Sequence, residues 1–228
     1  MPKIVKITTF PKLLDLIMPH SCRGCNTLGS VLCNRCKNHI ISCNFNICPN
    51  CRKDKHSASC KTCKNFPPSY ILGPREGLLS DLIHDYKYNS TRAIGGALAE
   101  IFAAKLPNIQ NAVIVPLPTS TAHVRSRGFD HTYYLAKRIA RIKKYRVTKL
   151  LLRDKNTVQV GADKSTRLRQ ADEAYSINPH IKIDNTKTYI LLDDVWTTGA
   201  SMTAAIKKLR DAGVQNIIVS LIALSELD

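Results

Sequence analysis

Two adjacent carboxylates, Asp193 and Asp194, follow the apolar run Tyr189-Ile190-Leu191-Leu192 and precede Val195-Trp196-Thr197-Thr198-Gly199-Ala200-Ser201. Carboxylates accept hydrogen bonds from sugar hydroxyls or hold a hard cation such as magnesium. The Thr-Thr-Gly-Ala-Ser turn offers hydroxyls and backbone N–H groups, and a helix starting there makes an anion site. Gly199 lets the backbone come close. The acids repel phosphate but suit sugar hydroxyls, and the turn suits phosphate. Together they are fitted to a ribose phosphate.

Secondary structure must hold these groups together. Four apolar or aromatic residues in a row suit a buried parallel strand, with the acids where that strand should end. Met202 to Arg210 reads as the helix after it. In an open α/β sheet, ligands bind outside the carboxyl ends of the strands. Further helices are predicted from Glu76 to Tyr88, from Thr91 to Leu106 and from about Phe129 to Lys144. Gly95 and Gly96 in the second of these mark close packing. Strands are predicted from Ala112 to Val115, about Val147 to Leu152, and Asn216 to Leu224. Helices between apolar strands argue a doubly wound, parallel α/β sheet.

All nine cysteines lie before residue 64, and eight form Cys-x-x-Cys pairs: Cys22 with Cys25, Cys33 with Cys36, Cys48 with Cys51, and Cys60 with Cys63. Two intervening residues let both thiolates reach one tetrahedral ion, so four pairs make two zinc sites. Gly24 and Pro49 suit the tight turns of such knuckles. The short gaps favour each pair joining its sequence neighbour, while a crossed arrangement, first with third and second with fourth, stays open. Disulfides are the alternative, and nothing in the sequence indicates export to an oxidising compartment. Cys43 is left over. Phe66-Pro67-Pro68 marks a boundary, dividing residues 1–66 (an N-terminal helix and a double zinc-binding module) from residues 67–228.

The net charge of +17, from 34 Lys and Arg against 17 Asp and Glu, points to a polyanionic partner such as nucleic acid. No apolar run approaches the roughly 18 to 20 residues that cross a bilayer. Pro11 and Pro19 bracket Lys12 to Met18, where Phe10, Leu13, Leu14 and Ile17 have the spacing of a short amphipathic helix. Between Arg125 and Arg169 there are fourteen Lys and Arg against Asp130, Asp154 and Asp163, with Tyr133, Tyr134 and Tyr145 interleaved. Cations beside aromatic rings suit unpaired bases. Arg138, Arg141, Lys143, Lys144, Tyr134, Arg167 and Arg169 are the candidate contacts, although a solvated helical face would carry similar charge. Trp196, at the tip of the loop, is a candidate for stacking on a base.

Asp193 to Ser201 resembles the phosphoribosyl pyrophosphate motif of type I phosphoribosyltransferases, in which the acids contact ribose and the Thr-Thr-Gly loop cradles its phosphate. Pro116-Leu117-Pro118 followed by Arg125, Arg127, Gly128, Phe129 and Asp130 resembles the Pro-x-Pro and Arg-x-Arg-Gly-Phe-Asn-Gln signature of the ComF competence proteins. Ile83-His84-Asp85-Tyr86-Lys87-Tyr88 is similar to that family's Lys-Tyr segment, and the four cysteine pairs stand in front, so the resemblance covers almost the whole chain. Gln159 to Arg169 is similar to the family's Gln- and Arg-rich loop. There are departures. Thr119, Ser120, Thr121, Ala122 and His123 stand where basic residues are usual, and Asp130-His131 replaces Asn-Gln. Ser201 replaces a threonine, and Asp172-Glu173-Ala174-Tyr175 replaces Asn-x-x-Gly-Ala-Phe.

The resemblance implies a type I phosphoribosyltransferase-like domain related to the amidophosphoribosyltransferases. Asp193 and Asp194 are its catalytic acids. Thr197, Thr198, Gly199, Ala200, Ser201, Lys87, Arg125 and Arg127 contact the phosphoribosyl and phosphate groups, and magnesium accompanies phosphoribosyl pyrophosphate. It implies a competence factor of natural transformation, in the cytoplasm or at the inner face of the membrane. Such a protein binds incoming single-stranded DNA and carries a phosphoribosyl pyrophosphate or nucleotide site. A DNA-uptake helicase or inner-membrane channel is the implied partner. A phosphoribosyltransferase of nucleotide salvage and an inactive scaffold for partner proteins are the alternatives.

Overall fold

Apolar runs spaced by helices build the computed structural model, which describes residues 20–89, 92–153 and 174–226. The predicted N-terminal helix around Lys12 to Met18, and Arg167 and Arg169, lie outside the described residues. In chain order the elements are α1 (Asn34–Ser42), β1 (Ser69–Pro74), α2 (Gly77–Tyr88), α3 (Arg92–Lys105), β2 (Ala112–Pro116), α4 (Thr121–Arg127) and α5 (His131–Lys143). Then come β3 (Arg146–Val147), β4 (Leu151–Arg153), β5 (Tyr175–Ile177), β6 (Thr188–Trp196), α6 (Ala200–Asp211) and β7 (Ile217–Leu224).

Five strands form one sheet in the order β1-β7-β6-β2-β3, with every pairing parallel. β4 and β5 form a separate antiparallel pair. The sequence predicts one strand from Val147 to Leu152; the chain instead breaks at 148–150 and places its two halves in different sheets. β1 and the short α4 escape the periodicity reading. Ser69-Tyr70-Ile71-Leu72-Gly73-Pro74 is bounded by proline and interrupted by glycine, which weakens its strand signal.

From β2 the chain moves outward to β3, and from β6 it moves the opposite way to β7. The strand order therefore reverses between β2 and β6, and open α/β sheets form a crevice at such a point. β2 is paired with β6 only as far as Pro116, opposite Leu192. Beyond it the β6 edge carrying Asp193 and Asp194 has no β2 partner, which opens the crevice at those residues.

Side chains alternate across the sheet. Ile190 and Leu192 join a core shared with α2, α3 and α5, while Tyr189 and Leu191 join a second core shared with α6, β4 and β5. Cys22, Leu32, Cys36 and Ile40 belong to the first core, so the cysteine region is packed onto the sheet's helical layer. Of the two glycines within α3, Gly95 is the packing position: a Cβ there would meet the Tyr86 ring at 2.4 Å, whereas nothing lies near Gly96. Among the described residues, no helix is long and apolar enough to cross a membrane.

Candidate functional site

The alternation that builds the two cores also separates the two acids. Asp194 turns toward the α2 and α5 layer, where Lys87 Nζ stands 2.7 Å and His131 Nε2 2.8 Å from its Oδ2. Lys87 is one residue from the end of α2, and His131 is the first residue of α5. Burial opposes the charged form of Asp194, but the His131 hydrogen bond and the Lys87 charge outweigh it and hold this carboxyl far below the usual range. Asp193 is only partly covered. Desolvation, then the Asp194 charge, push its carboxyl up to about 8, against the Asp194 backbone N–H that donates to it and weaker pulls from Lys87 and Arg153. Side by side, one acid is held ionised and the other is kept protonated near neutral pH.

Arg127 completes the Asp194 side. Its guanidinium can only donate, so His131 Nδ1, at 2.9 Å, accepts, and the Nε2–H is turned toward Asp194. The same guanidinium lies over the Tyr88 ring at 5.5 Å. α5 is held in place by Asp130, whose Oδ1 accepts from the Tyr133 amide at 3.0 Å and from Thr119 Oγ1 at 3.1 Å. Asp130 is thus a helix cap, and the Tyr86 hydroxyl donates to the His131 carbonyl at 2.6 Å. On the Asp193 side, Arg153 and Tyr175 are cross-strand partners of β4 and β5. The Arg153 guanidinium donates to the Tyr175 hydroxyl at 3.3 Å, and that hydroxyl is also paired with Ser201.

β6 continues through Trp196, so Asp193 and Asp194 sit inside the strand, three and two residues short of its end, and not at its end as the sequence predicts. Thr197 and Thr198 are exposed in the turn that follows, and Gly199 takes φ 80° at the start of α6. A Cβ at Gly199 would lie 2.2 Å from Trp196 Cζ2, so only glycine fits. Trp196 is 4% exposed and meets Phe66 edge-on at 5.7 Å. The expectation that it stacks on a base is therefore corrected: its ring is the floor under the loop. Ala200 and Ser201 are exposed in the first turn of α6.

The structure thus brings together Lys87, Asp193, Asp194 and the Thr197 to Ser201 turn, with Arg127 linked through His131. Arg125 is exposed on α4, directed to solvent. His131, Arg153 and Tyr175 are the site residues that sequence reasoning missed. His131 had one available signal, its position directly after a helix-capping aspartate. Arg138, Arg141 and Lys144 are exposed along the last turns of α5, whereas Lys143 Nζ donates to the Leu106 carbonyl at 2.7 Å. Tyr134 is packed against Phe129 at 5.9 Å, and its hydroxyl accepts from Arg138 at 2.9 Å.

The cysteines form two clusters, Cys22-Cys25-Cys33-Cys36 and Cys48-Cys51-Cys60-Cys63, each with its ligand atoms within 4.8 Å of one another. Neighbouring pairs join, and the crossed arrangement is excluded. None of the nine cysteines is bridged to another, and four sulfurs gathered in each cluster suit a shared metal ion better than disulfides. Cys25 Sγ to Cys33 Sγ and Cys51 Sγ to Cys60 Sγ are both 3.6 Å. Four sulfurs about 2.3 Å from a tetrahedral zinc stand about 3.8 Å apart, so the donor sets fit structural zinc. Amide donors surround them: Cys33 N–H to Cys22 Sγ at 3.3 Å and Asn50 Nδ2 to Cys63 Sγ at 3.4 Å. Arg35 is hydrogen-bonded to Cys25. Such outer donors neutralise thiolate charge and orient the ligands.

No family model matches the chain. Sequence comparison finds curated relatives. The chain is 23% identical over 217 residues to competence protein ComFC of Streptococcus pneumoniae, covering 92% of this chain and 91% of that protein. It is 25% identical over 214 residues to competence protein F of Haemophilus influenzae, with 87% and 93% covered. It is 24% identical over 196 residues to ComFC of Bacillus subtilis, with 80% and 79% covered. Over most of its length this mixed α/β chain with two four-cysteine clusters is therefore similar to the ComF competence proteins.

Proposed function

We propose that this protein acts in natural transformation by binding incoming single-stranded DNA in the cytoplasm. In this reading a type I phosphoribosyltransferase-like domain, residues 67–228, holds phosphoribosyl pyrophosphate or a nucleotide. The observation that carries the reading is the acid pair, one carboxyl locked by Lys87 and His131 and the other open, set at a strand-order reversal beside a glycine-started helix. The open acid, Asp193, meets ribose hydroxyls. Protonated, it donates; ionised, it accepts. Thr197, Thr198, Ser201 and the amides of the turn receive the 5′-phosphate, and Arg125 and Arg127 serve the pyrophosphate. Magnesium, when bound with the ligand, neutralises the pyrophosphate charge.

Calorimetry with phosphoribosyl pyrophosphate and magnesium tests this directly. Binding heat is expected from the wild type and is lost in the Asp193→Ala/Asp194→Ala double variant. Equal heats from both proteins, or none from the wild type, would remove the ligand assignment.

The exposed cations of α5 supply the DNA contact. α5 enters the ligand site with His131, and Arg141 lies ten residues, about 15 Å, further along the same helix. A strand on Arg138, Arg141 and Lys144 therefore lies within a few nucleotides of the ligand. Binding of single-stranded oligonucleotide to a site neutralising about six phosphates weakens on the order of 10²- to 10³-fold between ~50 and ~200 mM salt. An affinity indifferent to salt would exclude this electrostatic mode. The triple variant Arg138→Ala/Arg141→Ala/Lys144→Ala should show a shallower salt slope.

A further inference from the structure

The second cysteine cluster reaches the Thr197 turn along two routes. Arg52 directly follows the ligand Cys51 and takes a left-handed conformation at φ 61°. The knuckle turn fixes it there, through Arg52 N–H to the Cys48 carbonyl at 2.9 Å and Cys48 N–H to the Lys53 carbonyl at 2.9 Å. From that position its guanidinium donates to the Ser225 carbonyl at 2.6 Å and the Thr197 carbonyl at 3.1 Å. Ser225 in turn donates its amide to the Trp196 carbonyl at 2.9 Å. The other route starts three residues after Cys63. The Phe66 amide donates to the Cys63 carbonyl at 2.8 Å, and the Phe66 ring packs edge-on against Trp196. Trp196 supports Gly199 from below.

We propose that Arg52 is a positioning residue through which the second metal cluster sets the shape of the Thr197 to Ser201 turn. A guanidinium is rigid, permanently charged and able to serve two acceptors at once. Here it ties the end of β7 to the first residue of the turn. With the Thr197 carbonyl engaged by Arg52, an acceptor that would repel an anion is held away from the ligand, and the amides of the turn stay available. Metal at Cys48, Cys51, Cys60 and Cys63 holds the knuckle, and so holds both Arg52 and Phe66. The effect on ligand affinity rests on reading the turn as a phosphate cradle; the effect on the turn's conformation does not.

Trp196 is the only tryptophan in the chain, so its emission reports on the turn without any ligand. The experiment uses full-length, zinc-loaded wild type, Arg52→Ala, Arg52→Lys and, as a first-cluster control, Arg35→Ala. Metal content, Trp196 emission with acrylamide quenching, and calorimetric affinity for phosphoribosyl pyrophosphate with magnesium are measured on each.

Arg52→Ala is expected to retain its metal, shift emission to the red, quench more readily and bind the ligand about tenfold more weakly, the worth of one charge-assisted pair. Arg52→Lys keeps the charge but not the fork and recovers part of the loss, while Arg35→Ala leaves the emission unchanged. Unaltered emission in a fully metallated Arg52→Ala overturns the proposal, and shifted emission with unchanged affinity overturns its bearing on the ligand. Should Arg52→Ala lose metal, Arg52→Lys carries the same comparison. A wild type that binds no phosphoribosyl pyrophosphate refutes the ligand reading alone, since the emission still decides whether Arg52 positions the turn.

Discussion

Stripping metal from the two cysteine clusters is expected to unfold residues 20–66 and to loosen the helical layer beneath them. Zinc bound by four thiolates contributes about 10–16 kcal/mol to the folding of small zinc domains. The segment has little else to hold it. α1 has nine residues, too short to persist alone in water. Leu32, Cys36 and Ile40 are buried only because the first cluster folds them onto α3. Lys37 reaches Glu100 of α3 at 2.6 Å, but one part-buried ion pair cannot hold the segment by itself. Metal analysis of the native protein should return two zinc ions per chain. After exhaustive chelation under reducing conditions, hydrogen exchange should show protection lost throughout residues 20–66 and reduced in α3. Apoprotein with native protection there would refute a structural role for the metal.

Replacing Lys87 by methionine should destabilise the protein by about 3 kcal/mol, because breaking a buried pair leaves an uncompensated charge. For a chain of this size that lowers the melting temperature by roughly 6–12 °C. His131 remains to meet Asp194, which keeps the loss at the lower end. Asp194→Asn in the Lys87→Met background should restore much of it, whereas two independent losses would add. The pH dependence has opposite signs at the two acids. Asp194 is depressed on folding, so its contribution is present above the unfolded pKa of about 4 and is lost as pH falls. Asp193 is raised to about 8, so it favours the fold below about pH 4, and that contribution is lost as pH rises through 8. Asp193→Asn should therefore be more stable than wild type at pH 8 and no more stable at pH 4. Urea titrations at the two pH values would expose the wrong sign immediately.

Much of this site was legible in the chain because its central part is contiguous. An apolar run, two acids, a glycine turn and a helix lie within Tyr189 to Arg210, and local rules cover each step. The cysteine pairs were legible for the same reason, since Cys-x-x-Cys spacing is itself the geometry of a knuckle. What stayed hidden is what assembles from a distance. His131 reaches Asp194 only because α5 packs beside β6, and a histidine at a helix start carries no mark of a partner 63 positions away. Arg153 and Tyr175 meet across a strand pair too short for periodicity to register. Trp196 was misjudged because a strand's end cannot be fixed to within two residues from composition, and those two residues decide whether a ring faces solvent or core. Arg52 reads as one more surface cation until the turn that aims it is folded.

The placement of Asp193 and Asp194 on opposite faces of β6 makes them genetically separable despite being neighbours in the chain. Substitutions among Leu82, Ile83, Ile139 and the rest of the α2 and α5 layer act first on the setting of Asp194, and reach Asp193 through the charges beside it. Those among Leu151, Tyr175, Met202 and Ala205 act first on Asp193. The surroundings of Asp193 can thus change through one layer of the molecule while the other keeps Asp194 charged and fixed.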